Sequence, residues 1–172
     1  VQRIERLITD YSQMLKDEVA LSKEKMKKIN LKLIAKSVVD DFNNIYEYKR
    51  GIKIVLSDLN NLEEYFIKGI ENRIEQIIAN LLDNSISFSD NNKKILVELS
   101  KDEKEKIILK VIDEGKGFKE MNTKKIFDRF YSNRPDTFGE HSGLGLNIVK
   151  NLVDLHGATI DASNNVAQNG AN

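Results

Sequence analysis

The sequence predicts an α/β fold that follows one long N-terminal helix. Three observations support this prediction. The first 29 residues contain no glycine or proline and carry an apolar stripe at helical spacing. A second helical stripe spans residues 71–88. Residues 94–112 change to the two-residue alternation of β-strands, interrupted by one charged turn.

The N-terminal segment is predicted to be an amphipathic helix over residues 1 to about 29. Its apolar stripe consists of Ile4, Leu7, Ile8, Tyr11 and Leu15. A single striped helix cannot bury its apolar face alone, so we expect a partner helix from a second chain or from another segment.

The remaining elements follow from periodicity and from glycine punctuation. We predict helices at residues 33–48, 71–88 and 144–155, and strands at residues 52–56, 65–68, 94–99 and 107–112. The last two strands flank a charged turn at residues 102–105 and should form an antiparallel hairpin. Residues 116–142 have little periodicity, and loops this long usually act as lids or binding loops.

Composition narrows the class of protein. The 172 residues provide for one domain plus an appendage, and 27 basic residues balance 27 acidic ones. This balance argues against nucleic acid as the main partner. The absence of cysteine fits a reducing compartment, and no apolar run approaches the ~20 residues that span a bilayer. We therefore expect a cytoplasmic segment whose membrane anchor, if present, lies elsewhere.

Asn80 and Asn84 lie four residues apart on the predicted helix at 71–88, so their amides share one face. An amide oxygen is a suitable ligand for Mg²⁺ that is also shared with substrate phosphates. Because asparagine is frequent throughout this chain, the pair taken alone is better explained by a structural role.

Two glycine-containing strings follow. Asp113 ends a predicted strand, where its carboxylate could accept a hydrogen bond from an exocyclic amine such as that of adenine. Gly115 and Gly117 would let the backbone approach a flat ring, although the same string also describes a simple turn. The second string opens the last predicted helix. Ser142 is placed to cap that helix, and Gly143 and Gly145 would expose backbone N–H groups at its start to a phosphate.

In this order, the strings resemble the N, G1, F and G2 boxes of the GHKL ATP-binding superfamily, and in particular the sensor histidine kinases. The matching segments are residues 80–85, 113–117, 126–131 and 142–157. The lid around residues 134–143 is similar to that of ChvG-type sensors. This resemblance implies a two-layer α/β sandwich with a mixed, mostly antiparallel sheet.

The resemblance also implies roles for individual residues. Asn84 would bind Mg²⁺, Asn80 would lie beside the phosphates as the catalytic position, and Asp113 would bind adenine. The other cofactor-binding positions implied for ATP are Gly115, Gly117, Phe127, Phe130, Arg134, Ser142, Gly143, Leu144 and Gly145.

One residue distinguishes among superfamily members. Hydrolytic members resemble this pattern but have glutamate at the position of Asn80, where it acts as general base for water. An amide lacks useful basicity, so the γ-phosphate should pass to a side chain instead. The resemblance therefore implies a histidine kinase domain at residues 31–172 and, at residues 1–30, the second helix of a dimerisation and phosphotransfer hairpin. It also implies homodimerisation through that helix, a response regulator as partner, and an inner-membrane parent protein.

Several positions depart from the family pattern. Ser87 stands where a basic residue is frequent, a loss for which Arg134 could compensate, and His141 replaces a glycine of the G2 box. We expect the last strand to be truncated near residue 172. Neither His141 nor His156 resembles a phosphoacceptor, and the position of His156 in a last helical turn favours a structural role. Two alternatives remain: an anti-sigma-type serine kinase of the same superfamily, and a degenerate nucleotide-binding or scaffold module.

Overall fold

The computed structural model describes residues 24–61, 64–118, 123–128 and 144–164. Most of the predicted N-terminal helix and much of the predicted lid lie outside these ranges. In chain order the elements are β1 (Lys27–Asn30), α1 (Leu31–Arg50), β2 (Lys53–Asp58), β3 (Phe66–Gly69), α2 (Glu71–Phe88), β4 (Lys94–Lys101), β5 (Ile107–Ile112), a 3₁₀ helix (Thr123–Phe127) and α3 (Gly145–Leu155).

The strands pair in two groups. β1 and β3 are antiparallel, whereas β4 lies between β2, to which it is parallel, and β5, to which it is antiparallel. The register places Leu96 opposite Ile112, so the hairpin predicted between residues 94 and 112 is confirmed. The mixed, mostly antiparallel arrangement is confirmed as well.

One face of the β2–β4–β5 sheet and the inner faces of the helices form the core. Ile95, Val97 and Leu99 alternate along β4 and are fully buried, as expected for a strand that is covered on one side. On α2, Ile74, Ile78, Leu82 and Ile86 recur at four-residue spacing and pack into the same cluster. The predicted bounds of α2 and β5 agree with the structure.

The N-terminal helix prediction was wrong for its last residues. Lys27–Asn30 forms the strand β1, because its backbone pairs with β3 and this pairing outweighs the helix preference of the lysines. The side chain of Asn30 then caps α1, since its Oδ1 accepts a hydrogen bond from the backbone N–H of Lys32 at 3.1 Å.

Arg50, the last residue of α1, fixes the end of α2. Its guanidinium donates to the carbonyl oxygens of Ile86 at 2.8 Å and Ser89 at 2.6 Å, and its Nε donates to Oδ1 of Asn91 at 2.9 Å. These bonds satisfy carbonyl groups that a helix end leaves without intrahelical partners. The end of α2 is therefore anchored to the end of α1.

Tyr65, Asp58 and Lys32 form a polar network at the other end of the sheet. The fully buried Tyr65 donates its hydroxyl to Oδ1 of Asp58, and Nζ of Lys32 lies 2.9 Å from Oδ2 of the same carboxylate. Burial raises the pKa of Tyr65 to about 12, and the hydrogen bond and negative charge of Asp58 act in the same direction. Burial also raises the pKa of Asp58, but the bonds from Tyr65 and Lys32 and the lysine's charge outweigh it and lower that pKa overall.

Within the part of the chain that the structure describes, no helix is both long and apolar enough to cross a bilayer.

Candidate functional site

The helix α2 presents its two asparagines to the start of α3. Asn80 and Asn84 are half-buried, and a Cβ atom on Gly145 would lie 3.6 Å from Oδ1 of Asn80. The side chain of Asn80 makes no hydrogen bond to any of the described residues, so this amide is available to a ligand. Asn80 and Gly145 are 65 residues apart in sequence, so the fold brings the N and G2 boxes side by side.

Ser87 continues the same face of α2 by one further turn. It is buried, and its hydroxyl donates to the carbonyl oxygen of Asn84 at 2.7 Å. Its hydroxyl is therefore engaged within the helix that carries both asparagines.

Asp113 follows β5 and is held by its own loop. Its Oδ1 accepts a hydrogen bond from the backbone N–H of Gly115 at 2.9 Å, which fixes the orientation of the carboxylate. Oδ2 has no hydrogen-bond partner among the residues described, and it remains available as an acceptor.

Gly115 must be glycine because the loop passes close to the end of α2. A Cβ atom at this position would lie 2.8 Å from the carbonyl oxygen of Phe88 and 2.9 Å from Oδ1 of Asp113. The absence of a side chain lets the G1 box contact the C-terminal end of the helix that carries the N box. The helix α2 therefore carries the N box and contacts both the G1 and the G2 box.

Gly117 adopts a left-handed conformation with φ of 71°. A Cβ atom here would also lie 2.7 Å from Oδ1 of Asn164. That asparagine pairs with Phe118: its Oδ1 accepts from the backbone N–H at 2.6 Å, and its Nδ2 donates to the carbonyl oxygen at 3.0 Å.

The aromatic string is anchored to α3. Phe127 is buried, and its carbonyl oxygen accepts a hydrogen bond from Nδ2 of the buried Asn147 at 2.9 Å. Phe127 therefore belongs to a packed contact with the helix that begins at the G2 box. Phe130 and Arg134 lie outside the described residues.

The helix α3 begins at Gly145, with Leu144 as its N-cap and no capping side chain. The prediction that Ser142 occupies the cap position was wrong, because the chain enters the helix two residues later. Since no side chain among the described residues caps α3, its first N–H groups are available to an anion as far as the described structure extends. Ser142, Gly143 and His141 themselves lie outside the described ranges.

His156 has a structural role, as its position predicted. Its Nε2 accepts a hydrogen bond from the backbone N–H of Ile70 at 3.1 Å, so Nδ1 carries the proton and donates to the carbonyl oxygen of Leu152 at 2.7 Å. Both ring nitrogens are thus engaged: Nε2 joins the end of α3 to the start of α2, and Nδ1 binds within α3.

Sequence reasoning missed Asn147 and Asn164, although both contact segments that it had singled out. Asn147 lies within the segment that resembles the G2 box but was assigned no role, and Asn164 lies outside every matching segment. The one available signal was the polar Asn147 within the apolar stripe of residues 144–155, since a buried amide requires partners.

Comparison with known proteins agrees with this geometry. Residues 69–171 match the family described as histidine kinase-, DNA gyrase B-, and HSP90-like ATPase. Sensor protein ChvG of Rhizobium meliloti (strain 1021) is 33% identical over 176 residues, which cover 99% of this chain and 30% of that protein. The resemblance to ChvG-type sensors is therefore confirmed, and the chain spans less than a third of the length of that relative.

Solved structures share the fold. The catalytic domain of the histidine kinase ThkA, in a nucleotide-free form, has a TM-score of 0.65 at 23% identity, over 76% of this chain and 81% of that one. ThkA in complex with the response regulator protein TrrA gives 0.66 at 22% identity, over 90% of this chain and 43% of that one. With the family match and the shared space of the N, G1 and G2 boxes, the conclusion is plain: this chain belongs to the histidine kinase-, DNA gyrase B- and HSP90-like ATPase family.

Proposed function

We propose that this chain is the ATP-binding catalytic part of a sensor histidine kinase, and that it positions Mg·ATP for transfer of the γ-phosphoryl group to a histidine outside residues 1–172. Membership of an ATPase family implies ATP binding. The specific role as a kinase rests on the chemistry of the site and on the similarity to sensor proteins.

The observation that carries the proposal is the juxtaposition of Asn80 with Gly145. A half-buried amide faces the start of a helix that no described side chain caps, and this pairing suits a polyphosphate whose charge is stabilised by helix N–H groups. Asp113, oriented by Gly115, would receive the exocyclic amine of adenine on the other side of α2. The nucleotide would then lie along α2.

The donor set also fits Mg²⁺. This ion is typically bound through one or two protein oxygens together with substrate phosphates and water, and the amide oxygen of Asn84 is a suitable donor. When bound, the ion would neutralise charge on the phosphates. No group of three or more histidine, cysteine or acidic side chains in the described ranges could hold a metal ion.

Asn80 supports transfer to a side chain over hydrolysis. Its amide can orient a phosphate oxygen or a water but cannot remove a proton from water. Catalysis would rest on positioning and charge stabilisation, which dominate phosphoryl transfer. His156 is unsuited as the acceptor, because a nucleophile needs a free ring nitrogen and both of its nitrogens are engaged.

The remaining assignments follow from the same proposal. Residues 1–30 would contribute a dimerisation helix, with strand β1 at the junction, and residues 31–172 would form the catalytic domain. Phe127, Phe130 and Arg134 would belong to the lid, and Ser142, Gly143 and Leu144 to the phosphate-binding turn. A response regulator would be the downstream partner, as in the ThkA complex, and the chain would be the cytoplasmic part of a membrane-anchored sensor.

Nucleotide binding is tested by calorimetric titration with a non-hydrolysable ATP analogue and Mg²⁺. Asp113→Ala should abolish binding, and Asn84→Ala should weaken it mainly when Mg²⁺ is present. Exposed Asn44 on α1 provides a matched control, and Asn44→Ala should bind like the wild type. Undiminished affinity in Asp113→Ala would refute the proposed adenine contact.

Transfer is tested by offering radiolabelled ATP with a separate two-helix fragment that carries a histidine followed by an acidic residue. Label should appear on the fragment and be lost on acid treatment, as expected for a phosphohistidine. Release of inorganic phosphate without any labelling of the fragment would favour hydrolysis, and binding without turnover would favour the degenerate scaffold.

A further inference from the structure

We infer that Asn164 is a positioning residue for the nucleotide site: its amide fixes the loop after β5 in the conformation that presents Asp113. This inference rests on the proposed function, because Asp113 and its loop are taken as the adenine-binding element. Asn164 itself lies 46 residues beyond Phe118, outside every string that predicted the site.

The side chain of Asn164 binds the backbone of Phe118 through two hydrogen bonds, as a neighbouring strand would. Oδ1 of Asn164 accepts from the backbone N–H of Phe118 at 2.6 Å, and Nδ2 donates to the carbonyl oxygen of the same residue at 3.0 Å. An amide is the neutral side chain that offers both a donor and an acceptor at this spacing. Both backbone groups of Phe118 are thereby satisfied at one point.

The same contact explains why Gly117 is glycine. Its φ of 71° already disfavours a side chain, and a Cβ atom would lie 2.7 Å from Oδ1 of Asn164, closer than non-bonded atoms approach. A side chain at position 117 would therefore have to displace the amide of Asn164, in addition to adopting a strained φ. A glycine that the family pattern assigns to the nucleotide has a second partner within the protein.

The loop is consequently fixed at both of its ends. At the first end, Oδ1 of Asp113 binds the N–H of Gly115, which is in close contact with the carbonyl of Phe88. At the second end, Asn164 binds Phe118. Residues 116 and 117, between these two points, are exposed and have no other anchor of this kind in the described structure.

This arrangement should act on affinity through pre-organisation. If only a fraction of molecules hold the loop in the binding-competent conformation, the apparent dissociation constant rises by the inverse of that fraction. Two hydrogen bonds contribute enough to change such a population by about fivefold to tenfold. Asn164 would thus raise affinity for the nucleotide without contacting it.

The first test measures affinity and unfolding together. Titration with the ATP analogue and Mg²⁺ should give a dissociation constant about fivefold to tenfold higher for Asn164→Ala, whereas its melting temperature without nucleotide should stay close to that of wild type. Asn164→Asp should not restore affinity, since a second oxygen would face the carbonyl of Phe118. Asn44→Ala is the matched control for an exposed asparagine. Wild-type affinity in Asn164→Ala, or full rescue by Asn164→Asp, would overturn the inference.

A double-mutant cycle adds a readout that a general loss of structure would not produce. Gly117→Ala should lower affinity more in the wild type than in Asn164→Ala, because the short contact with Oδ1 exists only when the asparagine is present. Purely additive costs would contradict the coupling.

Asp113→Ala distinguishes a failure of this inference from a failure of the proposed nucleotide site. If it abolishes binding while Asn164→Ala has no effect, the inference fails and the proposed site stands. If Asp113→Ala leaves affinity unchanged, the proposed adenine contact fails first.

Discussion

Oδ1 of Asn80 lies 3.6 Å from the position that a Cβ atom on Gly145 would occupy. This distance is an ordinary van der Waals contact, so Gly145 is not required for packing in the way that Gly115 is. The absence of its side chain instead leaves open the space between an amide and the start of a helix.

Gly145→Ala should therefore preserve the fold but weaken nucleotide binding. Among the described residues the added methyl group meets no atom closer than Oδ1 of Asn80, and alanine is favourable in a helix, so the melting temperature should fall by little or rise. The methyl group would occupy space beside Asn80 and raise the dissociation constant for the ATP analogue by about tenfold. Calorimetric titration and thermal unfolding measure the two effects separately, and a stability loss without an affinity loss would contradict this prediction.

Gly115→Ala should behave in the opposite way and destabilise the folded state. Its Cβ atom would approach the carbonyl oxygen of Phe88 to 2.8 Å, and that backbone group is held at the end of α2. We expect a loss of about 1–3 kcal/mol in the free energy of unfolding, typical of overpacking. Urea denaturation measures it. Stability equal to that of Gly145→Ala would show that the loop can move away.

Tyr65 should make the protein sensitive to alkali. Because its pKa is about 12 in the folded state and near 10 when unfolded, the stability that it contributes is present below pH ~10 and is lost as the pH rises from 10 to 12. Tyr65→Phe should cost ~2 kcal/mol at pH 7 through the lost hydrogen bond to Asp58. In urea denaturation, the difference between wild type and variant should shrink across pH 10–12. A constant difference would contradict the raised pKa.

Asp58 should contribute in the acid range with the opposite sign. Burial raises its pKa, but the bonds from Tyr65 and Lys32 outweigh that effect, so the folded-state pKa lies below the unfolded value. Its contribution is therefore present above pH ~4 and is lost as the pH falls through the folded-state pKa. Asp58→Asn should be less stable than wild type by about 1–2 kcal/mol at pH 7, with the gap closing below pH 4. Asp40→Asn, at an exposed position on α1, is the control and should show no such convergence.

Asn147→Ala should loosen the 3₁₀ helix that carries Phe127. The variant loses the 2.9 Å bond to the Phe127 carbonyl, a contribution of ~1 kcal/mol. Amide hydrogen exchange in residues 123–128 should accelerate about fivefold, whereas exchange in β4 should not change. Unaltered exchange near Phe127 would mean that packing alone holds this segment.

Much of the fold was predictable because its signals are local. The periodicity of residues 71–88 and 107–112 gave the bounds of α2 and β5, since the spacing of apolar residues directly reflects which face is buried. The strand at Lys27–Asn30 was not predictable in this way. Its sequence suits a helix, and only pairing with β3, some 40 residues later, makes it extended.

Some residues of the candidate site could be predicted from the sequence, and others could not. Asn80, Asn84, Asp113 and Gly145 were predicted because the residue types and the order of their strings resemble the family pattern. Asn147 and Asn164 were missed, because their importance depends on carbonyl and N–H groups 20 and 46 residues away.

By itself, then, the sequence determined the order of the helices and strands from α1 onwards. It also supplied the residues proposed to bind a nucleotide and the amide at position 80 on which the proposal of phosphoryl transfer rests. The tertiary structure alone decided that Asn80 faces Gly145, that Gly117 must make room for Asn164, and that both nitrogens of His156 are engaged. Periodicity and residue type are properties of neighbouring positions, whereas these contacts arise only when distant segments close around a common core.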